Sequence, residues 1–204
     1  MRMNKYASYE ELKQYEREGK DYEILIREGV SGIAVVAPHG GGIEPGTDDI
    51  ADCIAGTEHS FYCFKGMKQT GNADLHITSD KFDEPYGLKI IKKAKTVLAI
   101  HGCKGNEPIV HLGGMDDDLI KKMEKLLAGA GFKALRNPRQ GLKGKRSRNI
   151  CNQGRTGQGV QIEISVGLRR KMFDDLIRGD GRNKTAIFYR FISALRKTFP
   201  AEQS

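Results

Sequence analysis

Two runs of the chain are apolar at almost every consecutive position, GIAVVAPHGG (residues 32 to 41) and TVLAIHGC (residues 96 to 103). Neither alternates, so both predict strands buried on two faces at the centre of a sheet. The first is read as ending at Pro38 and passing directly into the glycine-rich loop HGGGIEPG. Thr47 is then expected to cap a helix, DDIADCIAG, with acids in its first turn. YEILIRE (22 to 28), SFYCFKG (60 to 66), ADLHIT (73 to 78), PIVHLGG (108 to 114) and FKALR (132 to 136) read as further strands.

Helical spacing appears in four places. Residues 9 to 19 form a charged helix, capped by Ser8 and stopped at Gly19, that covers the domain. Residues 86 to 95 turn Leu88, Ile91 and Ile90 inward, and residues 115 to 131 begin with acids. Residues 183 to 198 place Phe188, Phe191, Ile192 and Leu195 on one side. GVQIEISVGLR returns to strand. The alternation predicts an α/β domain with helices on both faces of a sheet, and 204 residues suit one such domain, 1–204.

Composition narrows the class. Hydrophobic residues make up 38%, enough for a packed core, and nothing approaches the roughly 18 apolar residues of a membrane span. The charged N-terminus lacks the apolar stretch of a secretory leader, which predicts synthesis in the cytoplasm without a signal peptide and no membrane partner. Cys53, Cys63, Cys103 and Cys151 lie far apart with no CxxC pair, so free thiols are expected. The formal charge of +8 is unevenly spread: Arg136, Arg139, Lys143, Lys145, Arg146, Arg148 and Arg155 follow one another with no acid between. Such a segment gathers polyanions, whether nucleic acid or an acidic polymer. Residues 137 to 159 lack periodicity and predict a long basic loop at a functional site.

Both central runs deliver a histidine just after their last hydrophobic residue, His39 and His101. Ligands of open α/β sheets bind beyond the carboxyl ends of strands, and neutral imidazole is a common metal ligand. Glu44, five residues after His39 across three glycines, can fold back to join them. Two histidines and a carboxylate with one position left for water form the donor set of a catalytic zinc site. Taken singly, His39 reads equally as a loop cap and His101 as a core histidine; for the trio both readings stand. Glu163 lies on the polar side of VQIEIS, as a general base if near a metal and as an exposed edge-strand glutamate otherwise. His76 is either a substrate-orienting group or a surface histidine. Asn149, Asn152 and Arg155 suit either the gripping of a carboxylate or plain turn chemistry.

Five blocks in order, APHGGGIEPGTDDIA, LHITS followed by FDEP, AIHGC, NICNQGRTGQGVQIEIS and GLR, resemble the phage and Bacillus-type poly-γ-glutamate hydrolase family across residues 24 to 169. The resemblance implies a compact relative of the zinc carboxypeptidases: one mixed, largely parallel sheet with helices on both faces and one Zn2+ per chain. It implies endo-hydrolysis of γ-amide bonds in poly-γ-glutamate, a bacterial capsule polymer reached after lysis or release, by a monomer. Carried over by motif, His39, Glu44 and His101 are the metal ligands and Glu163 the general base. His76, Asn152 and Arg155 are expected to bind substrate. The first two ligands of the carboxypeptidases lie closer in sequence than His39 and Glu44, which leaves Asp48 as an alternative ligand. Another zinc amidase, acting on peptidoglycan or N-acyl amino acids, is the nearer rival. A nucleic-acid-binding module explains the charge but needs no histidines at strand ends.

Overall fold

The computed structural model describes residues 4–136 and 141–199. The chain forms one seven-stranded sheet from β1 (Tyr22–Arg27), β2 (Ile33–Gly41), β3 (Ser60–Gly66), β4 (Thr96–Cys103), β5 (Ile109–Gly114), β6 (Lys133–Arg136) and β7 (Val160–Ser165), in the order β1-β3-β2-β4-β7-β5-β6. The pairs β2–β3, β2–β4, β4–β7 and β5–β6 are parallel; β1–β3 and β5–β7 are antiparallel. This is the mixed, largely parallel α/β sheet expected. From Ala34 onward β2 is buried, because both of its sides are covered.

One face carries Val35, Leu98, Ile100, Ile162 and Ile164. It packs under α2 (Thr47–Ala55), α4 (Asp117–Gly129) and α6 (Ala186–Arg196), which contribute Ile54, Met123 and Phe191 among others. The opposite face carries Val36, Tyr62, Phe64 and Ala99 under α3 (Pro85–Lys93) and the N-terminal segment, whose Tyr6, Tyr9 and Leu12 are buried there. The functional groups lie on this second face, where β4 and β7 place His101 beside Glu163.

Several local expectations are corrected. The N-terminal helix is a single turn, α1 (Tyr9–Leu12), capped by Ser8 as expected. It stops because no apolar stripe continues past Leu12, while Glu16 turns inward to accept from Tyr6 Oη at 2.6 Å. ADLHIT is not a strand. Asn72–Leu75 is a 3-10 turn, and Leu75 and Ile77 alternate inward because they pack onto the sheet face rather than join its ladder. β2 runs past Pro38 to Gly41 with a register shift between Ala37 and Gly40, a bulge at which the missing proline N–H leaves no ladder bond unmade. The cap of α2 is Gly46, at φ 86°, and Thr47 is the first helical residue. VGLR does not extend β7: Ser165 caps a new helix, α5 (Val166–Met172), by accepting from Leu168 N. β7 itself sits between β4 and β5, which excludes the edge-strand reading of Glu163.

Candidate active site

The bulged end of β2 places His39 at the sheet's carboxyl edge, 2% exposed, and the glycines after it turn the chain sharply back. Gly41 has φ 61°, and a Cβ there would lie 2.4 Å from Gly66 O, so the turn tolerates no side chain. Glu44 N donates to His39 O at 2.9 Å and closes the loop, while Thr47 Oγ1 donates to Glu44 O at 2.8 Å. Glu44 is thereby carried beside the end of β4, where its Oε2 accepts from Gly102 N at 2.8 Å.

His39 Nδ1 and His101 Nδ1 lie 3.2 Å apart. Glu44 Oε1 is 3.4 Å from the first, and its Oε2 is 3.6 Å from the second. Two atoms each 2.0–2.1 Å from a tetrahedral zinc are separated by about 3.3–3.4 Å, so the trio has the spacing of a metal's coordination shell. Among the described residues, these three form the group able to hold an ion. The far ring nitrogens are also engaged. His39 Nε2 lies 2.7 Å from Ile77 O and donates to it, which leaves the Nδ1 lone pair for an ion; His101 Nε2 lies 3.3 Å from Ser79 Oγ. Burial opposes a charge on Glu44, but His39 and His101 outweigh it and hold its carboxyl well below the usual range. Burial likewise lowers His101, yet Glu44 and Glu163 leave its imidazole raised above its ordinary value.

Glu163 stands across from His101 in the β4–β7 register and is 6% exposed. Burial pushes its carboxyl up to about 7; Glu44 adds to the shift, while His101, the Gln161 amide and Arg169 limit it. Gln161 Nε2 donates to Glu163 Oε1 at 2.9 Å and to Leu142 O at 3.3 Å, and Gln161 Oε1 accepts from Asn149 Nδ2 at 3.0 Å. The basic loop is therefore wired to Glu163 through one buried amide.

The remaining expected residues divide sharply. His76 joins the cluster, its ring stacked on that of His39 at 4.0 Å between centroids, with Nδ1 3.0 Å from Asn4 Oδ1. The charge of His39, then burial, lower its imidazole to about 3. Asp48 is not the alternative ligand: it faces Arg182 Nη1 at 3.3 Å. Asn152 and Arg155 are at the other end of the sheet. Arg155 N donates to Ala94 O, two residues before β4 begins at Thr96, and His101 lies five residues further along the strand at about 3.3 Å each. Asn152 gives its amide to Gly144 O and Arg146 O and accepts from Gly159 N, so its side chain is spent on backbone. Neither the Asn152 contacts nor the Arg155 backbone bond touches His39, Glu44, His101 or Glu163. Sequence reasoning missed Ser79, Gln161 and Arg169. The polar alternation of VQIEIS marked Gln161, whereas nothing local marked Ser79.

Paired imidazoles and two buried carboxyls at the ends of parallel strands are an arrangement suited to hydrolysis. The chain belongs to the poly-gamma-glutamate hydrolase family, whose model matches residues 6–194. It is 38% identical over 197 residues, 95% of this chain and 71% of the relative, to the SPbeta prophage-derived UPF0714 protein YoqZ of Bacillus subtilis (strain 168). Its fold matches a bacteriophage poly-gamma-glutamate hydrolase at a TM-score of 0.92 and 29% identity, covering 96% of both chains. The zinc-free, apo form of YNDL matches at 0.91 and 34% identity, covering 96% of this chain and 97% of the other.

Proposed function

We propose that the protein is a zinc-dependent endo-hydrolase of the γ-glutamyl amide bonds of poly-γ-glutamate, a capsule depolymerase, with Glu163 as its general base. The observation that carries this reading is the mutual facing of His39 Nδ1, His101 Nδ1 and the Glu44 carboxylate, with Glu163 in register beside them. YNDL, described in a zinc-free state, supports zinc as the ion. Zinc bound by His39, Glu44 and His101 supplies a Lewis acid that polarises the amide carbonyl and brings the pKa of a water toward neutrality. Glu163 takes a proton from the attacking water through the carboxylate oxygen that Gln161 does not hold. It delivers that proton to the γ-amide nitrogen as the carbon–nitrogen bond breaks and the new carboxyl forms. His76, kept neutral against His39, orients the chain at the scissile bond.

The polymer's charge suits the first half of the basic loop. Residues 142 to 150 lie beside β7 and the 77–80 segment: Gln161 reaches Leu142 O, Ile150 N donates to Ser79 O and Arg146 pairs with Asp80 at 2.8 Å. Arg146 thus holds its charge beside Ser79, which contacts His101, and raises the local concentration of a polyanion at the border of the site.

Zinc content and hydrolysis of purified poly-γ-glutamate test the proposal together. The wild type should carry about one zinc per chain and lose activity in a chelator. Glu163→Gln should keep the zinc while kcat drops by about 10²–10⁴-fold. Activity undiminished in the metal-stripped protein, or loss of zinc from Glu163→Gln, overturns it.

A further inference from the structure

We infer that Arg169 is a positioning residue that fixes the relative placement of the three chain segments carrying the candidate ligands and the base. Its guanidinium lies under the site, 3% exposed, at the start of the last turn of α5. Nη1 donates to Pro45 O at 2.7 Å, Nε to Ile164 O at 3.1 Å and Nη2 to Cys103 O at 3.4 Å. Pro45 follows Glu44, Ile164 follows Glu163, and Cys103 lies two residues beyond His101. One planar group therefore holds the backbone next to Glu44, next to Glu163 and close to His101.

The β4–β7 ladder registers two of these segments as far as Cys103 and Ser165, while the Glu44 loop is joined to them through the Gly102 N–H and through Arg169. β4 and β7 pair along their lengths, but both end within a residue or two of the site, and the Glu44 loop is outside the ladder. Carbonyls at the ends of three elements point the same way and repel unless a multiple donor sits among them. A guanidinium, with five N–H groups in a fixed plane, can serve all three; an ammonium on a flexible stem acts as one point donor. Gly102 completes the fit. A Cβ there would lie 2.6 Å from Arg169 Cζ, so the absence of a side chain at residue 102 lets the guanidinium lie flat against the strand that bears His101. The same glycine donates its N–H to Glu44 Oε2, linking the carboxylate to the backbone that Arg169 supports.

This inference rests on the zinc reading above for its functional meaning, and its test has an arm that does not need the metal. Arg169→Lys keeps the charge and loses the fork; Gly102→Ala keeps the arginine and displaces it. In both, the dissociation constant for zinc, measured by chelator competition, should rise about 10–100-fold, the range for partners that orient ligands. In the metal-free proteins, hydrogen exchange at the residue 102 amide should accelerate at least about tenfold while the Ile162 amide in mid-strand stays protected. Zinc affinity within about twofold of wild type and unchanged protection at residue 102, in either folded variant, overturns the inference. If wild type binds no zinc but the exchange effect appears, the positioning role stands and the zinc reading falls.

Discussion

The two ends of the β4–β7 strand pair are both lined by polar residues and do opposite things. At the amino end Asn152, Thr156 and Arg155 surround the chain as it enters β7; at the carboxyl end His39, Glu44, His101 and Glu163 surround it as it leaves. At the amino end the polar groups are turned onto backbone: Asn152 serves Gly144 O, Arg146 O and Gly159 N, and Thr156 Oγ1 donates to Lys95 O at 3.0 Å. At the carboxyl end they are turned onto one another, with ring nitrogens and carboxylate oxygens 3.2 to 3.6 Å apart. A polar side chain whose capacity is used up by carbonyls and amides holds the fold. Buried groups that face each other with unspent lone pairs raise their own free energy and are kept for chemistry.

The contrast predicts that substitutions at the carboxyl end remove activity more than stability, and at the amino end the reverse. His101→Ala should make the largest change: zinc content falls toward zero, and kcat/KM on poly-γ-glutamate drops by about four orders of magnitude or more, while circular dichroism still reports a folded chain. A His101→Ala protein that retains zinc and turnover breaks the comparison outright. Next comes pH. Glu163 must be ionised to accept a proton, so kcat/KM should fall about tenfold per unit on the acid side of its carboxyl; burial raises that carboxyl to about 7 in the metal-free site, and a zinc ion beside it sets the limb of the loaded enzyme below that. The same shift gives a stability prediction. A carboxyl that holds its proton more tightly in the fold than in the unfolded chain contributes its full stability below its ordinary value of 4.5 and loses it as the pH rises through about 7. At pH 8 the ionised Glu163 therefore costs the metal-free protein up to about 3 kcal/mol. Metal-free Glu163→Gln should melt higher than metal-free wild type at pH 8 and at the same temperature near pH 4; a lower melting point at pH 8 would contradict the burial argument. Asn152→Ala should do the converse. Three bonds are lost, and melting should report a destabilisation of about 2–3 kcal/mol, with zinc content unchanged.

The carboxyl end was legible in the sequence because two signals there are intrinsically local. An unbroken apolar run marks a strand covered on both faces, and the residue after it must emerge at the sheet's end; this located His39 and His101 and, with the spacing across the glycines, Glu44. Glu163 was legible as a candidate from the alternation of VQIEIS, although its central position was not, since alternation looks the same on an edge strand. What stayed hidden depends on tertiary placement. Ile77 O and Ser79 reach the imidazoles from a segment whose alternation imitates a strand, because packing on a sheet face and pairing within it leave the same apolar pattern. Arg169 was folded into the strand pattern, and only the cap at Ser165 reveals that the chain turns into a helix there. Asn152 and Arg155 stand apart from the ligand cluster for a related reason. Glycine, asparagine and arginine suit an anion site at either end of a sheet, and the end is decided by β7 running parallel to β4, which no local pattern encodes.

The smallest predicted effect separates the two halves of the basic loop. Arg155 is exposed, and its backbone is tied to Ala94 at the amino end, two residues before β4, well over a Debye length from His101 along the strand. Arg155→Ala should leave kcat/KM within about twofold and leave its decline with added salt unaltered. Arg146 pairs with Asp80 beside Ser79 and so borders the site, and Arg146→Gln should lower kcat/KM at low salt and flatten that decline. Equal salt slopes for Arg146→Gln and Arg155→Ala would mean that the polymer is gathered by the molecule's overall charge. A flatter slope for Arg146→Gln alone places the gathering field at the same end of the sheet as the ligands.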